Sequence, residues 1–83
     1  MQTTMMRFHP DHYIPNVMVN ILEKLEELPF VREVVRPTPF GLMVTTKNRR
    51  GIKRMLHVLS FEMRAMHVEV IVPAKQKKYN PYN

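Results

Sequence analysis

Five cations stand within eight residues at Lys47, Arg49, Arg50, Lys53 and Arg54, where the sequence pattern places the start of a helix. A helix N-terminus already carries partial positive charge and unpaired N–H groups, so cations there oppose the dipole. Folding alone would favour carboxylates at such positions. Guanidinium forks, ammonium groups and exposed amides suit phosphate oxygens, and Gly51 lets another backbone come close. The chemistry implied is capture of a polyanion.

A second group closes the chain. Lys75, Lys77 and Lys78 lead into Tyr79 and Tyr82, interleaving charge for a phosphate backbone with rings that stack on bases. Arg36, between two valine-rich and apolar segments, is expected to support both groups. Together these residues form the expected nucleic-acid-binding set, with RNA ahead of DNA. The alternative partner is an acidic protein surface, on which an adaptor, inhibitor or complex subunit would dock its basic side.

Catalysis finds little to work with. There is no cysteine, Ser60 is expected in the middle of a helix, and two glycines cannot build a phosphate loop. No enzyme activity is expected. His9, Asp11 and His12 have metal-ligating chemistry, but no further ligand lies close in sequence, so neither metal nor cofactor is expected. The segment reads instead as a loop that caps the next helix through Asp11 or Asn16. His57 and His67 read as surface residues.

The elements that must position these groups follow from periodicity. Met18, Ile21, Leu22, Leu25 and Leu28 recur at helical spacing, and Pro29 ends the run, giving a helix near 16–28. Ile52, Met55, Leu56, Leu59, Met63 and Met66 make the stripe of a second, longer helix near 49–65. Strands are expected near 31–36, 40–46 and 67–72, the first two joined by a turn at Arg36-Pro-Thr-Pro39. Val68, Val70 and Val72 should face inward.

Within the second strand, Pro39-Phe-Gly-Leu-Met-Val44 resembles part of the third-strand motif of RNA-recognition motif domains. Leu42 stands where that motif has a second aromatic, and Thr38 where it has a basic residue. Phe40, Leu42 and Val44 are therefore read as core.

A weak repeat organises the whole. Ile21-Leu22-x-x-Leu25 followed by Phe30-Val-x-x-Val-Val echoes Met55-Leu56-x-x-Leu59 followed by His67-Val-x-Val-Ile-Val. The second half is preceded by a strand, so the first should be too, and Thr3–Phe8 is the segment available. The expected fold is α+β, a ferredoxin-like βαββαβ arrangement with both helices on one face of an antiparallel sheet. Residues 1–73 form the domain and 74–83 a basic tail, of which 75–83 is expected to be mobile until a partner orders it.

Composition bounds the setting. Residues 1–35 carry three cations against five acids, net −2, whereas residues 36–83 carry ten against two, net +8. Such asymmetry points to a polyanion or an acidic surface as partner. No apolar run is long enough to span a membrane, and a chain without cysteine fits a reducing, cytoplasmic setting. At 83 residues the core is small, so a homodimer or a place in a larger complex is expected. Val58, Phe61 and Ile71, apolar and outside the main stripes, are the expected protein interface.

Overall fold

Alternation along the first segment builds the central strand. In Gln2–Arg7 (β1), Gln2, Thr4 and Met6 are buried while Thr3, Met5 and Arg7 face the other way. In the computed structural model, which describes residues 1–72, β1 occupies the place expected for the first strand. A 3-10 turn at Pro10–His12 leads to the helix Pro15–Glu27 (α1), followed by strands Val31–Thr38 (β2) and Gly41–Thr46 (β3). Two helices, Arg49–Val58 (α2) and Ser60–Ala65 (α3), precede the short strand Glu69–Ile71 (β4). The four strands form one antiparallel sheet in the order β2-β3-β1-β4, so the protein is α+β.

One face of this sheet carries the core. Met6, Leu42 and Val44 pack against Met18, Ile21 and Leu25 of α1, Met55 of α2, and Leu59 and Met66 beside α3. The amphipathic stripes thus bury against a single sheet face, the stable solution for helices that are apolar on one side. The opposite sheet face is left uncovered by any described element.

Several local expectations are corrected. α1 begins at Pro15 with Ile14 as its cap residue and no side-chain cap, so Asn16 lies inside the helix and Asp11 in the preceding 3-10 turn. Proline fits the first turn because it has no N–H to leave unpaired. The Ile14 N–H donates instead to the thioether of Met66 at 3.2 Å. β2 runs through Pro37 to Thr38, and the register shifts between Val35 and Thr38. An edge strand tolerates proline at such an irregularity, so the turn falls at Pro39 and Phe40 instead. Phe40 leaves the core for that turn, 37% exposed, with its ring edge-on to Tyr13 at 5.2 Å.

The expected long second helix is broken at Leu59, whose ψ of 8° separates α2 from α3. Ser60 consequently begins α3 and is not in mid-helix. Lys24 of α1 reaches the break. Its ammonium donates to the Val58 carbonyl at 3.5 Å and pairs with the Glu62 carboxylate at 2.7 Å. A cation at the end of α2 is favourable for its dipole. Burial by itself would raise the pKa of Glu62, but hydrogen bonding to Lys24 and to its own backbone, with the Lys24 charge, holds it below the usual carboxylate value. β4 is shorter than expected because His67 adopts a left-handed φ of 52° and turns the chain before the strand begins.

Candidate nucleic-acid interface

The basic segment is built outward from Thr46, buried at the end of β3. Its hydroxyl donates to the Asn48 carbonyl at 3.0 Å, and the Lys47 N–H donates to the Phe30 carbonyl at 2.8 Å. Asn48 then caps α2, its Oδ1 accepting the Gly51 N–H at 3.1 Å. Asparagine is among the best residues for this task because its side chain mimics the next backbone acceptor. Of the amides at this helix end, that of Gly51 is therefore already engaged.

Gly51 has a packing role that differs from the expected one. It is buried, and a Cβ there would lie 3.0 Å from the Phe30 ring and 3.1 Å from Thr46. The close approach it permits is between α2 and the body of the domain.

Lys47, Arg49, Arg50, Lys53 and Arg54 are all exposed around this frame. Arg49, Arg50 and Lys53 border an open depression of about 370 Å³ with Ile52 as its apolar floor. Arg54 sits over the Phe30 ring, 5.8 Å from its centroid, a cation–π contact that steadies the guanidinium while leaving its edge accessible. No ion pair among the described residues involves Lys47, Arg50, Lys53 or Arg54. Arg50, Arg54 and His57, at i, i+4 and i+7, share one exposed helix face. Arg50 and Arg54 thus place two guanidinium groups one helical turn apart on that face.

Not every expected residue joins it. Arg36 lies five residues along β2 from Val31, the partner of Thr46, roughly 15 Å away by strand geometry. There its guanidinium donates to the Tyr13 hydroxyl at 3.1 Å and the Pro39 carbonyl at 3.0 Å. Lys75, Lys77, Lys78, Tyr79 and Tyr82 lie outside the described residues. The expected protein interface is divided: Val58 and Phe61 are exposed on the helical side, whereas Ile71 pairs with Met5 on the uncovered sheet face.

Three of the four histidines lie together. His12 stacks on His67 at 4.2 Å and lies 5.3 Å from His9, but no group of three ligands able to hold a metal exists among the described residues. Sequence reasoning missed Asn48 and Phe30. Asn48 had a signal, being a preferred cap residue just before a helical stripe. Phe30 joins the basic end only through its carbonyl's hydrogen bond from Lys47 and its ring beneath Arg54, contacts between distant segments that no local pattern announces. Compared with protein-family models, curated proteins and solved structures, the chain matches none.

Proposed function

We propose that the protein is a small, non-enzymatic nucleic-acid-binding domain of the ferredoxin-like kind, RNA ahead of DNA as ligand, acting in the cytoplasm. Support for that fold comes from the strand order β2-β3-β1-β4, in which each helical crossover joins two parallel strands with one strand between them. The functional reading rests on one observation. Lys47, Arg50 and Lys53 stand exposed at the start of α2, where they oppose the helix dipole and form no ion pair with an acidic group among the described residues to offset that cost. A phosphate backbone would supply that partner. Side chains capture the phosphates, Asn48 having taken one helix-end amide, and specificity is low because the group holds cations and few base-reading side chains.

The test is fluorescence anisotropy with mixed-sequence RNA and DNA oligonucleotides over a range of salt. With about five phosphates neutralised, log affinity should fall against log salt with a slope of about −3 to −4 for single strands. Absence of binding at low salt would refute the reading. A second reading has its own observation, since Phe61 is 70% exposed on the helical side beyond the basic group. An acidic protein surface would engage cations and ring together. Capture of an acidic protein from nuclease-treated extract, lost on Phe61→Ser, would favour it.

A further inference from the structure

The sheet face turned away from the helices carries a pattern that alternation alone does not reveal. Register places Val35 of β2 beside Met43 of β3, Met43 beside Met5 of β1, and Met5 beside Ile71 of β4. Four apolar side chains thus cross the whole sheet in one row about 14 Å long. Val35 and Met5 are exposed, and Met43 and Ile71 half-buried. Thr3, Thr45 and Glu33 form the row on one side. Arg7, Gly41 and Glu69 form the row on the other, with Arg7 and Glu69 paired at 3.3 Å. A groove of about 260 Å³ opens beside Met5, between Phe40, Pro37 and Ile71.

Charge selects the occupant. Although the chain carries +6, the described residues that register places on this face include one cation, Arg7, against Glu33 and Glu69. A polyanion gains little here, and the row holds no aromatic ring for bases to stack on. Two copies of a basic chain repel each other elsewhere, but here each would bring Arg7 already paired with Glu69 at 3.3 Å, so the repulsion is smaller.

We propose that a second copy of this chain covers the face, the two sheets stacking about a twofold axis parallel to the strands. That axis sets β2 of one copy over β4 of the other, and β3 over β1. Val35 then meets Ile71, Met43 meets Met5, and Arg7 lies over Gly41 and the Thr38 hydroxyl beside it. Sheets stack about 10 Å apart, a gap that flexible methionines fill well. Four strands span roughly 19 Å by 17 Å, or about 300 Å² per copy in projection, well under the ~800 Å² per partner of a standard interface. The dimer is therefore weak, populated only at high protein concentration.

Sedimentation equilibrium of the full chain from about 1 µM to about 500 µM reads this directly. Monomer is expected at the low end and dimer at the high end, with amide signals of Met5, Val35, Met43 and Ile71 shifting on dilution. Met43→Lys should raise the dissociation constant at least tenfold, and Val35→Lys, at the edge and gentler on folding, several-fold. Phe61→Ser should leave it unchanged. A chain that stays monomeric throughout would overturn the proposal. So would a dimer that persists in folded Met43→Lys and Val35→Lys, or one that is lost in Phe61→Ser.

Discussion

The start of α2 and the uncovered face of the sheet are both exposed, yet their chemistries differ. Around α2, Lys47, Arg49, Arg50, Lys53 and Arg54 surround a frame tied down by Asn48, Thr46 and Phe30. On the sheet face, Val35, Met43, Met5 and Ile71 form an apolar row beside a single Arg7–Glu69 pair. The first surface suits a dense anion and the second an apolar, uncharged one. Because the two surfaces share no residue, a partner on one need not compete with a partner on the other. A domain too small for a large core can in this way offer two kinds of contact.

The largest expected effect lies outside both surfaces, between α1 and α3, and separates stability from binding. Lys24→Met strands the buried Glu62 carboxylate, so stability should fall by about 2 kcal/mol, less than for a fully buried pair because Lys24 is 40% exposed. Thermal unfolding should show a drop of about 10 °C, with the salt slope of nucleic-acid binding unchanged. Since the folded pKa of Glu62 is lowered, its contribution is fully present above the ordinary carboxylate value. It is lost as pH falls through the depressed folded value. Glu62→Gln should therefore flatten the acid limb of a stability–pH profile.

Next comes the basic surface itself. Arg50→Gln with Lys53→Gln should weaken nucleic-acid binding about tenfold at moderate salt and reduce the magnitude of the slope by one to two units. Thermal stability should stay the same or rise slightly, because two cations no longer oppose the dipole of α2. A folded double variant that binds as before would remove phosphate capture from this surface.

Gly51→Ala sharpens the distinction between frame and ligand contact. The added methyl meets Phe30 and Thr46, which should cost about 1–3 kcal/mol, offset by about 1 kcal/mol from the better helix former. A net loss of about 1 kcal/mol in denaturant unfolding is expected, with nucleic-acid affinity unchanged once the folded fraction is accounted for. Affinity lost without stability would return Gly51 to the ligand.

The smallest effect belongs to Arg7→Gln. Arg7 and Glu69 are both mostly exposed, so the change should cost less than about 0.5 kcal/mol in the same assay. A larger loss would mean that the sheet face depends on this pair more than its exposure implies.

Much of the fold was legible because its signals are local. The stripe Met18–Ile21–Leu25 and the valine-rich strands between prolines follow from side-chain period, and the repeat pointed to β1. The break at Leu59 carries neither glycine nor proline. Glu62, three residues after Leu59, is buried although charged and lies outside the stripe read through Leu59 and Met63. Phe40 left the core because β2 continues through Pro37, a bulge that only strand pairing determines. The basic group was plain from composition. Its frame, and the apolar row opposite, depend on register between distant segments and were not.

One measurement addresses the separation of the two surfaces directly: amide chemical-shift mapping of the labelled full chain titrated with a short mixed-sequence RNA, at a concentration where it is monomeric. Shifts should be confined to Lys47–Arg54 and neighbours such as Phe30 among the described residues, with Met5, Val35, Met43 and Ile71 unmoved. Shifts centred on that sheet row, with Arg50 and Lys53 silent, would contradict it.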